Sequence, residues 1–142
     1  MYYVDTSALV AYYCPEALSE KVEAFLTTHL RTSISMLTEV ELFSAISRKI
    51  RDGNLSADDG ALITGLFLSH LEASFYRSIE VQTRHYIMAR DWIGQFDAPL
   101  RTLDAIHLAI ASSESLTLVT ADYRLVESAK TVRIKAIHMS VD

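Results

Sequence analysis

Four acidic residues that are far apart in the sequence stand where predicted strands end or predicted helices begin. Asp5 directly follows a short β-prone run, and Asp122 lies two residues beyond a second, β-branched run. Asp104 and Glu41 each fall in the first turn of a predicted helix. In an open parallel sheet, the carboxyl ends of the strands and the starts of the helices that follow them meet at one edge, where ligands bind. The sequence therefore predicts that these four carboxylates converge.

The chemistry of the four carboxylates favours a bound cation. Oxygen ligands without paired His or Cys suit a hard ion, Mg²⁺ or Mn²⁺, better than zinc. Asp104 and Glu41 stand among apolar neighbours, where an ionised carboxylate needs a partner. His107 lies one helical turn beyond Asp104, and we interpret it as a packing residue outside the site.

Each acid also has a purely structural interpretation. Asp5 and Asp122 could cap the helices that follow them, because Asp is a favoured N-cap residue. Glu41 stands three residues after Thr38, which is the spacing of a capping box. Asp104 would favour the positive end of its helix dipole. Capping accounts for the acids one at a time, but it does not explain why two of them have apolar neighbours.

The elements that must position these residues alternate along the chain. Strands are predicted at 2–4, 32–35, 75–81, 116–120 and 132–137, and helices at 6–13, from Pro15, from 38 to about 53, from 56, and at 83–96, 102–113 and 123–130. Short apolar strands separated by helices are typical of a parallel sheet that is covered on both faces. We therefore expect an α/β fold that forms one domain over residues 1–142.

Composition limits the classes of protein that need to be considered. The 142 residues carry a net charge of −5, and half of them are hydrophobic. A packed core is expected, and a protein that coats nucleic acid nonspecifically is not. The single Cys14 cannot form an internal disulfide, the first residues lack a basic leader, and no apolar run is long enough to span a bilayer. These features predict a cytoplasmic protein that does not enter a membrane.

Four segments of the sequence resemble the motifs of one family, the PIN domains. They are Val4–Leu9, Thr38–Leu42, Leu103–Ala109 and Leu118–Asp122. In the second motif Glu41 is the better match and Glu39 the alternative. The order and spacing of the motifs and the length of the chain are similar to those of VapC-type toxins.

The resemblance implies a fold, an activity and partners. The fold would be a three-layer α/β/α sandwich with a central parallel sheet. The activity would be that of a metal-dependent endoribonuclease that hydrolyses RNA through an acidic Mg²⁺ or Mn²⁺ site. The partners would be an RNA substrate, a second copy in a homodimer, and a cognate antitoxin that holds the enzyme inactive.

The resemblance also implies roles for individual residues. Asp5, Asp104 and Asp122 would hold the metal, and Glu41 would either bind metal or orient the attacking water. The hydroxyl groups of Thr120 and of either Thr6 or Ser7 would hold the carboxylates in place. Because the chain is acidic, contacts to RNA would depend on local cations such as Arg101 and Arg124, for which a solvated position is an equal alternative.

Two other classes compete with this hypothesis. A phosphotransfer domain also uses an Asp after its first strand, but a dehalogenase-type phosphatase needs a second Asp where Ser7 stands. A receiver domain needs a late Lys after a strand, and neither Lys130 nor Lys135 fits. The other class is a PIN-like domain that binds a partner without catalysis, which the effect of metal on thermal stability would distinguish.

Overall fold

A five-stranded sheet, parallel throughout, forms the centre of the computed structural model, which describes residues 1–142. The strands are β1 (Tyr2–Val4), β2 (Ser33–Ser35), β3 (Arg77–Ile79), β4 (Thr117–Thr120) and β5 (Ala136–His138). Their order across the sheet is β3-β2-β1-β4-β5, and every neighbouring pair is parallel. The predicted α/β/α sandwich is confirmed.

Seven helices connect and cover the strands. They are α1 (Thr6–Tyr13), α2 (Ser19–Thr28), α3 (Met36–Arg51), α4 (Ala57–Glu72), α5 (Thr83–Gly94), α6 (Thr102–Ser113) and α7 (Tyr123–Thr131). The bounds of α1 and α6 agree with those predicted from the sequence. Helix α2 begins four residues after Pro15, so the prediction that Pro15 starts this helix was wrong. None of the helices combines the length and the apolar character that crossing a membrane requires.

The last strand lies further along the chain than predicted. Val132 and Ile134 are β-prone, but they pack against the core beneath the end of α7 instead of joining the sheet. Between them Arg133 adopts a φ of 59°, in the left-handed region, which an extended strand cannot include. The strand therefore begins only at Ala136.

The sheet separates two hydrophobic cores because successive residues of a strand point to opposite faces. On one face Val4 and Val119 pack with apolar residues of α1 to α4. On the other face Tyr3 and Leu118 pack with α5, α6 and α7. The two central strands, β1 and β4, are therefore anchored on both sides, and the residues at their ends are held rigidly.

The strand order reverses between β1 and β4. From β1 the chain adds β2 and β3 on one side, and it then crosses to β4 and β5 on the other. Such a reversal is where open α/β sheets form their ligand sites. The backbone N–H of Asp5 donates to the carbonyl oxygen of Val119 at 3.0 Å, which places the end of β1 directly beside the end of β4.

Candidate active site

Asp5 caps helix α1 from the end of β1. Its Oδ1 accepts hydrogen bonds from the backbone N–H of Ala8 at 3.5 Å and from the Ser7 hydroxyl at 2.8 Å. The structural interpretation of Asp5 as an N-cap is therefore correct. Because both contacts go to the same oxygen, capping leaves the other carboxylate oxygen for a further partner. The two roles of this residue are compatible.

The Asp5 carboxylate is a buried charge without a cationic partner. The residue is 6 % exposed and forms no salt bridge with any Lys or Arg. Burial raises the pKa of Asp5 above its ordinary value, although nearby His107 and the hydroxyls of Ser7 and Thr120 oppose the rise. The raised pKa of the Asp5 carboxyl is thus caused mainly by burial and not by repulsion between acids.

Glu41 lies on the second turn of α3 and faces β1. The capping box predicted for Glu41 is wrong, because α3 starts two residues before Thr38 and its box is formed by Ser35 and Thr38. The Oε1 atom of Glu41 instead accepts the Thr6 hydroxyl at 2.8 Å and the Nε2–H of His107. Burial alone would raise the pKa of Glu41, but these donors outweigh it and hold that pKa below its ordinary value. Glu41 is thus ionised and fixed at neutral pH.

Glu39 lies elsewhere. Its Oε2 accepts a hydrogen bond from the Ser78 hydroxyl of β3 at 3.1 Å, toward the edge of the sheet. It contacts none of the other acids of the predicted site. Of the two candidates for the second acidic position, Glu41 is the one that the fold connects to the end of β1, through the hydroxyl of Thr6, the residue after Asp5.

His107 is the residue whose place the sequence interpretation missed. It is 2 % exposed, as expected for a packing residue, but both of its ring nitrogens have partners. Nε2 contacts Glu41, and Nδ1 lies 2.7 Å from the Tyr3 hydroxyl. The signal was present in the sequence, since His107 lies three residues after Asp104 on the same helix.

Asp104 and Asp122 form a second pair, joined by an arginine. The Arg101 guanidinium lies 2.8 Å from Oδ2 of Asp104 and 3.4 Å from Oδ2 of Asp122. Asp122 also caps α7, because its Oδ1 accepts the backbone N–H of Arg124 at 2.9 Å. The Arg124 side chain itself is further away, with Nε 3.9 Å from the same oxygen. Arg101, and not Arg124, is the counterion of this pair.

Two hydroxyl groups connect the end of β1 with the start of α7. Ser7 Oγ lies 3.1 Å from Thr120 Oγ1 and accepts the backbone N–H of Ala121 at 2.9 Å. Thr120 Oγ1 accepts the backbone N–H of Asp122 at 3.0 Å. Both residues therefore hold the segments that carry Asp5 and Asp122.

The four carboxylates lie at the carboxyl edge of the sheet in two pairs, with Asp5 and Glu41 linked through Thr6, and Asp104 and Asp122 linked through Arg101. No three carboxylate, imidazole or thiol side chains lie close enough to hold a metal as they stand. The oxygen-only character of the group nevertheless fits Mg²⁺ or Mn²⁺. The buried charge of Asp5 also calls for a cation, and the Arg101 side chain, which is 54 % exposed, can move from the pair that it joins. The residues present fit a hard divalent cation once the Arg101 side chain has moved away from Asp104 and Asp122.

Comparison with known proteins agrees with this architecture. The model of the PIN domain matches residues 2–130. No curated protein sequence matches the chain significantly. Among solved structures, the fold is similar to VapC20 of Mycobacterium tuberculosis, a sarcin-ricin loop cleaving toxin, with 15 % identity over 90 % of this chain and 95 % of that chain and a TM-score of 0.71.

Two further structures are similar over nearly their whole length. FitAcB from Neisseria gonorrhoeae is 19 % identical over 97 % of this chain and 97 % of that chain, with a TM-score of 0.72. A toxin-antitoxin complex from Klebsiella pneumoniae is 14 % identical over 99 % of this chain and 98 % of that chain, with a TM-score of 0.69. Identities this low show a shared fold. Together with the family model, which spans residues 2–130, they lead to one conclusion: this chain belongs to the PIN domain family.

Proposed function

We propose that this chain is a divalent-cation-dependent endoribonuclease, the toxin of a toxin–antitoxin pair. The observation that supports the proposal is that four carboxylates from four separate elements lie at the carboxyl edge of the sheet. Two of them, Asp5 and Glu41, are buried or half-buried and lack a Lys or Arg partner. The Asp5 carboxylate in particular lowers the stability of the fold, because a buried charge costs free energy unless a ligand compensates it.

Asp5, Asp104 and Asp122 are the residues that would hold Mg²⁺ or Mn²⁺. When bound, the cation would supply the positive charge that activates water and stabilises the negative charge developing on a phosphate. Ser7 and Thr120 would keep two of these carboxylates in place, since they already bond the segments on which Asp5 and Asp122 lie.

Glu41 orients the attacking water in this proposal. Both of its hydrogen-bond donors use Oε1, so Oε2 can accept a hydrogen bond from water. The lowered pKa of Glu41 keeps the carboxylate ionised at neutral pH. A weakly basic carboxylate is better suited to orienting water than to removing its proton outright.

A cleft beside Asp104 offers a place for the RNA strand. It has a volume of about 510 Å³ and is lined by Asp104, Arg101, Arg124 and Tyr123 among others. Exposed guanidinium groups attract phosphates, and an exposed aromatic ring stacks on an unpaired base. Tyr123 is 61 % exposed. These contacts suit a single strand and give the acidic chain the local cations that RNA binding needs.

Protein partners are part of the proposal. Similar structures include FitAcB and a toxin-antitoxin complex, so we assign a cognate antitoxin to this chain, together with a homodimer. The aromatic residues Tyr3, Tyr13, Phe67 and Tyr76 do not supply the contact surface, because all are buried. Exposed apolar residues lie instead along α3 and α4, and they are Met36, Val40, Phe43, Leu62 and Leu66.

The deciding experiment measures cleavage of RNA by the purified protein without antitoxin. We expect cleavage with Mg²⁺ or Mn²⁺, none with excess EDTA, and loss of cleavage by about 10³-fold or more in Asp5→Asn and Asp104→Asn. Asp58→Asn is the matched control, because it removes an exposed acid from the first turn of α4. Cleavage that survives EDTA or the Asp5→Asn substitution would refute the proposal.

One observation favours a second function, a PIN domain that binds without catalysis. Asp104 and Asp122 already have a positive partner in Arg101, so half of the site is compensated without metal. A protein of this kind would cleave no RNA, and its melting temperature would be the same in Mn²⁺ and in EDTA. Metal-dependent stabilisation that Asp5→Asn abolishes would exclude it.

A further inference from the structure

A buried imidazole lies behind Glu41, and its two nitrogens connect that carboxylate to the core. Nδ1 of His107 lies 2.7 Å from the Tyr3 hydroxyl, and Nε2 contacts Oε1 of Glu41. Tyr3 is 0 % exposed and His107 2 %. We propose that His107 is a positioning residue, which holds the Glu41 carboxylate in place through Nε2–H while Tyr3 fixes the imidazole ring. The inference rests on the proposed function, because it assigns the support of the residue that orients water.

The direction of each hydrogen bond follows from Glu41. A carboxylate only accepts hydrogen bonds, so Nε2 of His107 must carry the hydrogen. When the ring is neutral, Nδ1 accepts, which makes Tyr3 the donor at that end. The Tyr3 hydroxyl oxygen then accepts a hydrogen bond from the Ser35 hydroxyl, which lies 2.8 Å away. With the neutral ring, every polar atom of the chain Ser35–Tyr3–His107–Glu41 is satisfied.

These bonds join four elements that only the fold brings together. Tyr3 lies on β1, Ser35 at the end of β2, Glu41 on α3 and His107 on α6. A Glu side chain has several rotamers and loses entropy when it is fixed. The hydrogen bonds from Thr6 and His107 to Oε1 of Glu41 offset this loss of entropy. His107 thereby specifies which carboxylate oxygen remains available at the site.

A second Tyr–His pair serves as an internal control. The Tyr13 hydroxyl lies 2.6 Å from Nδ1 of His70 and 2.8 Å from the Tyr76 hydroxyl. This pair joins α1, α4 and the segment before β3, and neither residue bonds an acid. If a Tyr–His bond only stabilises the fold, both pairs should respond alike to substitution. If His107 positions Glu41, only the pair at the site should affect catalysis.

The test substitutes His107 with side chains that keep or lose Nε2. The amide nitrogen of Gln reaches the Nε2 position, that of Asn reaches only Nδ1, and Leu has neither. We expect His107→Leu and His107→Asn to lower kcat for RNA cleavage by about 10–100-fold, with KM and the affinity for Mn²⁺ by calorimetry within about 3-fold of wild type. His107→Gln should restore kcat to within about 3-fold. Control variants His70→Gln and Tyr13→Phe should leave kcat unchanged.

Several results would overturn the inference while leaving the proposed function intact. One is a folded His107→Leu protein that cleaves RNA at the wild-type rate. Another is a set of three His107 variants that lose melting temperature, Mn²⁺ affinity and kcat in parallel, which would indicate a structural role. If His107→Leu does not fold, the difference in kcat between His107→Gln and His107→Asn still tests whether Nε2 positions Glu41.

A measurement without activity keeps the inference separate from the proposed function. Nitrogen-15 NMR of the imidazole rings in the metal-free protein should show Nε2 of His107 protonated, and its shift should move in Glu41→Gln while that of His70 does not. If the wild-type protein cleaves no RNA with any metal, the proposed function fails by itself. If the chemical shift of His107 Nε2 does not change in Glu41→Gln, the positioning contact is refuted, whether or not the protein cleaves RNA.

Discussion

The acidic site has two halves that are held by different forces. The inner half consists of Asp5, Glu41 and His107, which are buried or half-buried and bonded to neutral donors from the core. The outer half consists of Asp104, Asp122 and Arg101, which are held by ion pairs whose guanidinium is 54 % exposed. The carboxylates of the inner half have hydrogen bonds but no Lys or Arg to balance their charge. Those of the outer half are already balanced by Arg101.

This difference indicates how the site would accept the proposed cation. Hydrogen bonds within a packed core persist without metal, so the inner carboxylates are already oriented. Ion pairs at a surface contribute at most about 1 kcal/mol and are screened by salt, so a divalent ion can replace Arg101 at little cost. Arg101 would then be released beside the cleft that Arg124 and Tyr123 line. In this proposal the rigid half would set the geometry of the site, and the exchangeable half would admit the cation.

Among the variants that distinguish the two halves, the largest expected effect concerns the inner half. Glu41→Gln keeps the size and the oxygen that Thr6 and His107 contact, but it removes the charge that we propose orients water. We expect cleavage to fall by about 10²–10³-fold. Glu39→Gln is the matched control on the same helix, and it should retain activity within about 2-fold. Equal losses in the two variants would contradict the assignment of Glu41, and not Glu39, to the inner half.

An intermediate effect concerns the outer half. Arg101→Gln removes the positive charge that competes with a cation for Asp104 and Asp122. We expect the affinity for Mn²⁺, measured by calorimetry at low ionic strength, to increase about 3–10-fold. Arg124→Gln removes a charge whose nearest contact with Asp122 is 3.9 Å, and it should change the affinity by less than about 2-fold. A weaker affinity in Arg101→Gln would show that the guanidinium supports the metal instead of competing with it.

The smallest effect is on the stability of the metal-free protein. Asp5→Asn keeps a residue that can cap α1 but removes a buried charge, so the melting temperature in EDTA should rise by about 2–4 °C. Asp122→Asn changes another helix cap, at an exposed ion pair, and should give no such gain.

The same variant carries a pH signature. Because burial raises the pKa of Asp5 in the folded state, the native protein binds a proton where the unfolded chain does not. The contribution of Asp5 to the free energy of unfolding therefore falls as pH rises from the ordinary pKa of Asp through the folded one. The stability advantage of Asp5→Asn over wild type should grow across that range. An advantage that is independent of pH would contradict the buried charge.

Local signals explain why much of the fold was predictable. The start of α1 follows from short-range chemistry, because the Asp5 side chain caps this helix. The prediction of β5 failed because Val132 and Ile134 are β-prone in isolation, whereas the turn at Arg133 and the packing against α7 depend on the whole domain. The capping box assigned to Thr38 and Glu41 failed for a related reason, since Ser35 at the end of β2 took the capping position.

The sequence by itself determined the types and the order of the acids, the alternation of strands and helices, and hence the edge of the sheet at which the carboxylates gather. Only the tertiary structure decided that Glu41 contacts Thr6 and His107 whereas Glu39 contacts Ser78, and that Arg101 pairs with both Asp104 and Asp122. The physical reason is the range of the contacts. Tyr3 and His107 are 104 positions apart in the chain and Glu41 and His107 are 66, and only the packed fold brings such side chains within hydrogen-bond distance.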